Sequence, residues 1–150
     1  MITSFRGLPV IKFFEPNAKF FELMNKYPDD LTIYDVGAGV GHVSKELQEK
    51  GKQVVALDMF PRDYSYFPVT IADAERYYYD MNSILMFCRP CHGYFVENSI
   101  NRSVMFGVKQ IIYVGLYKNV EDDLGIYYEI AIEKANNVGK DNESFWTISL

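Results

Sequence analysis

Apolar and polar positions along the chain fall into two alternating kinds of segment. Residues 31–36, 53–57, 83–88 and 110–116 are apolar almost throughout, and each is short and rich in β-branched or aromatic side chains. Such runs predict strands buried on both faces, and 69–72 reads as a shorter one. Between them apolar residues recur at helical spacing. Val43 and Leu47 stripe a helix over 42–50 that Gly51 stops, and 94–106 forms another before the turn at Gly107. Residues 122–136 read as a third helix, with Ile126, Ile130 and Ala131 as core positions. Nearer the start, Pro16 suits the first turn of a helix striped by Phe20, Phe21, Leu23 and Met24 and ended by residues 27–30. Residues 1–14 are mixed and read as a strand, an arm or a lid. Residues 144–150 form a last strand. Strands alternating with helices predict a single α/β domain, with a mostly parallel, doubly wound sheet of about six strands and helices on both faces.

Composition narrows the function. The chain has 150 residues, of which 49% are hydrophobic and 23% charged, so it is too apolar for disorder. The 12 Tyr and 11 Phe need a core or a ligand to cover them. A net charge of −5 with no Lys/Arg run repels a phosphate backbone, so nucleic acid is not the expected partner. No apolar run of about 18 residues and no leader-like h-region appears, which points to a cytoplasmic protein that does not enter a membrane. Two cysteines, Cys88 and Cys91, are too few for a disulfide framework.

The candidate chemistry starts where the first buried strand ends, at Asp35-Val36-Gly37-Ala38-Gly39-Val40-Gly41. A strand, a glycine loop and a helix in succession bring backbone N–H groups close to a nucleotide-like ligand. The pattern is G-x-G-x-G, not the G-x-G-x-x-G of dinucleotide enzymes. Asp35 stands two residues ahead of Gly37, which suits a ligand carrying an ammonium better than a pyrophosphate.

Residues 32–58 resemble the first two motifs of the class I methyltransferases that use S-adenosylmethionine (SAM), a Rossmann-like family. The resemblance covers about the first two-thirds of the chain. It implies that Asp35, Gly37, Ala38, Gly39 and Gly41 wrap the methionine part of SAM, and that Asp58 takes both ribose hydroxyls. It also implies that Met59 lies against the adenine and that Asp73 and Ala74 meet its edge. The organisation it suggests is one SAM-binding domain over 1–150, with an N-terminal arm and helix (1–30), a cofactor core (31–116) and a C-terminal helix and strand (117–150). The acceptor is then a small molecule or a protein side chain.

The chain departs from the family in three places. Only residues 58–68 and 73–82 link the second to the third and the third to the fourth strand, too few for full helical crossovers. The closing antiparallel hairpin of the family reads as one strand short. Strand 144–150 carries no charge or proline, so its expected open edge invites a second copy and a homodimer. These cuts also support an alternative: a catalytically silent SAM- or nucleotide-binding module that completes a partner. Third, Cys88-Arg89-Pro90-Cys91-His92 stands at the end of the fourth strand, where relatives touch the methyl acceptor. Cys91 as a nucleophile, a redox pair, haem attachment and a zinc site with His42 are each weaker than structural cysteines, so no metal is expected. His92 is the candidate base, with Glu97 as a second.

Overall fold

The computed structural model describes residues 4–5, 8–9, 11–60 and 62–150. Along the chain run β1 (Ser4–Phe5), β2 (Leu8–Pro9), α1 (Ala18–Met24), β3 (Thr32–Val36), α2 (His42–Glu49), β4 (Gln53–Asp58) and β5 (Val69–Ile71). They are followed by β6 (Ser83–Cys88), α3 (Phe95–Val104), β7 (Gln110–Gly115), α4 (Val120–Leu124), β8 (Ile132–Ala135) and β9 (Ser144–Ser149). Strands β1 and β2 pair with each other. The reading of the first 14 residues as strand, arm or lid falls in part on residues 1–3, 6, 7 and 10, outside the described residues.

The other strands form one sheet of order β5-β4-β3-β6-β7-β9-β8. Its first four pairings are parallel and the last two antiparallel. The chain moves outward from β3 to β5 and then returns to lay β6 on the other side of β3. The crevice at the ends of β3 and β6 is therefore the switch point, where open α/β sheets bind ligands.

Strand alternation builds two cores. Tyr34 and Val36 of β3, with Leu85 and Phe87 of β6, point toward α3, whose Val96 and Ile100 are fully buried. Ile33, Ile84 and Met86 point the other way, toward Val43 and Leu47 of α2 and Phe20 and Met24 of α1. Asp35 shares that second face, which brings its carboxyl against α2. Helix α1 begins at Ala18, because Asn17 caps it by accepting the Lys19 and Phe20 N–H groups.

Among the described residues, neither trimmed crossover contains a helix. Over 73–82 an aromatic cluster covers the sheet instead. The Tyr77 and Tyr79 rings pack on Tyr34 at 5.7 and 5.1 Å, and Tyr79 donates to the Ala74 carbonyl. From α3, Arg102 donates to the carbonyls of Tyr77 and Arg76 and fastens the segment down.

The C-terminal third corrects the sequence reading. The expected helix over 122–136 stops at Leu124, and Gly125–Ile130 forms a 3-10 turn that leads into β8. Gly125 has φ +57°, and a Cβ there would sit 1.7 Å from the Glu97 carboxylate, so an α-helix cannot continue. Ile126 and Ile130 are 69% and 50% exposed and are not core positions, while Ala131 packs partly against the core. With β8 the sheet has seven strands instead of six, and the antiparallel hairpin is complete. Strand β9 is interior, between β7 and β8. The edge that invited a second copy is occupied by this chain's own β8, whose exposed Glu133 and Lys134 discourage further pairing. No helix among the described residues is long and apolar enough to cross a membrane.

Candidate active site

At the switch point lies a largely apolar cavity of about 320 Å³. Its floor is the loop after β3. The N–H groups of Gly37 and Ala38 both donate to the Leu57 carbonyl, which ties the loop to the end of β4. Gly39 has φ +61° and Gly41 φ +74°. A Cβ on Gly41 would also meet Phe67 at 3.0 Å, so this turn requires glycine. Gly41 opens α2 without any side-chain cap.

Two acids frame the floor. Asp58 ends β4 and is 7% exposed; its Oδ2 accepts the Gly39 N–H at 2.9 Å and its Oδ1 the Phe60 N–H at 2.9 Å. Arg62 stands 3.6 Å from the same carboxylate. Asp35 is 2% exposed and accepts from Ser44 Oγ of α2 at 2.7 Å. Burial pushes its carboxyl up to about 6; the Ser44 bond opposes the shift and the Asp58 charge adds to it.

The remaining residues that the resemblance singled out line the same cavity: Met59, half-exposed, then Asp73 and Ala74 after β5. The Asp73 carboxylate accepts the Glu75 N–H at 2.9 Å. Asp35, Gly37, Ala38, Gly39, Asp58, Met59, Asp73 and Ala74 are thus brought together, and Gly41 shapes the turn without lining the cavity. Glu97 is elsewhere. It lines neither this cavity nor the one described next, and its Oε1 accepts the Ile126 N–H at 2.8 Å. Tyr77, Tyr78 and Tyr79 line neither cavity; Tyr77 and Tyr79 pack on Tyr34, and the exposed Tyr78 stacks edge-on against Phe106.

A second hollow of about 260 Å³ adjoins the first, and Phe13, Arg89, Pro90 and Cys91 border both. His92 lines the second, with its Nδ1 3.0 Å from Asp123 Oδ1. Cys91 is exposed, unlike the structural cysteine expected there. Burial raises the Cys88 thiol well above its ordinary pKa, and the Asp35 and Glu143 charges act in the same direction, so it stays protonated. His42 Nε2 donates to the Phe14 carbonyl, and burial lowers its pKa. Among the described residues no three His, Cys, Asp or Glu side chains are grouped to hold a metal ion.

The sequence reading missed Asp123, Arg62 and Phe13. Phe13 and Asp123 are placed by partners 76 and 31 residues away, whereas Arg62 stands only four residues after Asp58.

No protein-family model matches the chain, and no curated protein matches it by sequence. Solved structures do match. The 23S rRNA methyltransferase ErmE superposes with a TM-score of 0.56 at 15% identity, over 91% of this chain and 69% of that one. Magnesium protoporphyrin IX methyltransferase (ChlM) from Synechocystis PCC 6803, with bound SAM, gives 0.57 at 14% identity, over 85% of this chain and 74% of that one. A protein of the NADB-Rossmann superfamily from Streptococcus agalactiae gives 0.61 at 13% identity, over 89% and 68%. The chain has the fold of SAM-dependent methyltransferases and their Rossmann-like relatives.

Proposed function

We propose that this protein is a SAM-dependent methyltransferase that acts on a small molecule or a protein side chain. The observation that carries the reading is the convergence of Asp35, the glycine loop, Asp58 and Asp73-Ala74 on one cavity at the switch point. The residues fit SAM. Asp35 is a buried carboxyl with a raised pKa, a site that a cationic group stabilises. Each oxygen of Asp58 holds one backbone N–H and can accept a further bond, so two ribose hydroxyls fit there. Met59 and Ala74 offer apolar walls to an adenine, with Asp73 at its edge. When bound, SAM supplies an electrophilic methyl group; the chain supplies position, holding an acceptor in line beside it.

The silent-module alternative rested in part on a missing hairpin, and β8 supplies that hairpin. Relatives in fold include an rRNA methyltransferase, yet the net charge of −5 favours a non-nucleic acceptor here.

Calorimetry tests the cofactor. SAM or its demethylated product is expected to bind in the micromolar range, and NAD more weakly; tighter NAD binding would overturn the reading. Asp58→Ala is expected to cost about 1.5–3 kcal/mol of SAM binding, the range for hydrogen bonds to a charged group. An unchanged affinity would remove Asp58 from the ribose site.

A further inference from the structure

The second hollow contains a built relay. His92 projects from the loop after β6 with its side chain 69% exposed, and its Nδ1 meets Asp123 Oδ1 at 3.0 Å. Asp123 of α4 is 2% exposed, and its other oxygen accepts the Tyr113 hydroxyl at 2.5 Å. Tyr113 comes from β7, so three separate elements meet at this point. Gly115 makes the meeting possible, because a Cβ there would sit 2.6 Å from the Tyr113 hydroxyl. Burial and the adjacent Asp123 push the Tyr113 pKa upward, so the phenol keeps its proton and donates it to Asp123. With both carboxylate oxygens occupied as acceptors, the neutral His92 ring carries its proton on Nδ1 and leaves the Nε2 lone pair for a base.

We propose that His92 is the general base of an acceptor subsite, positioned by Asp123 and Tyr113, for a small ring-bearing molecule that is methylated on an acidic hydroxyl. The inference rests on the methyl-transfer reading and names the acceptor class. A carboxylic acid is already ionised and needs no base, and an aliphatic alcohol is too weak an acid for an imidazole. A phenol or enol hydroxyl lies between them. The walls agree: Phe13, Pro90 and Leu116 suit a ring, and Arg89, Pro90 and Cys91 also border the cofactor cavity. In the transfer, the acceptor oxygen forms the new O–CH3 bond as its proton passes to His92 Nε2. The electron pair of the broken C–S bond stays on sulfur, and His92 later returns the proton to water. His92 is the catalytic residue; Asp123 and Tyr113 are positioning residues.

Two measurements test this. The chain has two histidines, so 15N-histidine NMR of the whole protein resolves both rings. In the neutral rings, His92 is expected as the Nδ1–H tautomer and His42, which donates from Nε2, as the opposite one. In Asp123→Asn the amide oxygen can keep the Tyr113 bond while the amide N–H donates to His92, so the His92 proton is expected to move to Nε2. The second measurement is turnover of SAM with mono- and dihydroxybenzenes. His92→Gln, on an exposed side chain, is expected to lower kcat on the order of 10²–10⁴-fold with SAM affinity unchanged. Asp123→Asn is expected to lower kcat with little change in KM. An Nε2–H tautomer for His92, SAM binding without turnover of any hydroxybenzene, or full kcat in His92→Gln overturns the proposal and leaves the methyl-transfer reading standing. Failure to bind SAM overturns both. Methylation of RNA in place of the phenols also overturns it.

Discussion

Asp35→Asn is expected to stabilise the ligand-free protein at pH 7 and to weaken SAM binding at the same time. The carboxyl is buried, and Ser44 contributes one hydrogen bond to it. Its folded pKa of about 6 exceeds the ordinary carboxylate value, so the native state holds this proton more tightly than the unfolded chain does. Stability from this group is therefore fully present below about pH 4 and is lost as pH rises through about 6. From a shift of about two units, the loss above pH 6 is about 3 kcal/mol. Asparagine keeps the Ser44 bond and carries no charge, so it avoids that loss. Melting curves should show the variant above the wild type at pH 7 and the two converging near pH 4; equal melting temperatures at pH 7 would contradict the argument.

The same group sets the pH dependence of binding. A cationic ligand beside Asp35 stabilises its ionised form, so binding expels a proton wherever the empty site is protonated. SAM affinity is expected to rise between pH 5 and pH 7 and then level off. Calorimetry in two buffers of different ionisation enthalpy should detect proton release near pH 5.5 in the wild type and not in Asp35→Asn. In the variant, affinity at pH 7 should fall by about 1.5–3 kcal/mol. A stability gain without an affinity loss would mean that Asp35 does not face the ligand's charge.

The parts of this architecture that could be read from the sequence are those written in adjacent residues. Strand β3, its glycine loop and α2 succeed one another within 32–49, so spacing alone located the cavity floor; Asp58 ends β4, and Asp73 follows β5 by two residues. Strand β8 left almost no signal. Its Ile132-Glu133-Lys134-Ala135 is short and charged because it is an edge, and Ile126 and Ile130 before it mimic a helical stripe while pointing outward. Gly125 was the local sign of a break: its positive φ ends the helix, and the Glu97 carboxylate takes the room a Cβ would need there. That error propagated, since a missing β8 exposes β9 and turns an interior strand into a dimer edge. Glu97 lies outside both hollows for a related reason. An acid on an amphipathic helix looks available until a distant backbone N–H claims it. His92 was legible as a loop histidine at a strand end, but its partner lies 31 residues away, beyond any local pattern.

Arg89→Met is expected to cause the largest loss of stability. Arg89 sits in the loop at the end of β6 with φ +50°, an uncommon conformation for a residue with a side chain. Its Nη1 lies 3.2 Å from Glu143 Oε2, 3.4 Å from Asp141 Oδ2 and 3.3 Å from the Phe13 carbonyl. Glu143 is fully buried, and its other oxygen accepts the Asp141 N–H at 3.1 Å. Without the guanidinium, Glu143 keeps a buried charge with no cation beside it, a change that typically costs about 3–5 kcal/mol. The damage should reach the site as well, because Phe13 borders both hollows and loses the donor to its carbonyl. Two companions separate charge from backbone. Arg89→Gly removes the same cation but adopts positive φ freely, so it should recover about 1–2 kcal/mol relative to Met. The double variant Arg89→Met with Glu143→Gln removes both charges and should recover most of the loss, since a neutral amide is far less costly to bury than an unpaired carboxylate. Urea denaturation of the four proteins reads the order directly. A single-variant loss below about 1 kcal/mol, or a double variant no better than Arg89→Met, would show that this pair does not hold the N-terminal segment against the C-terminal hairpin.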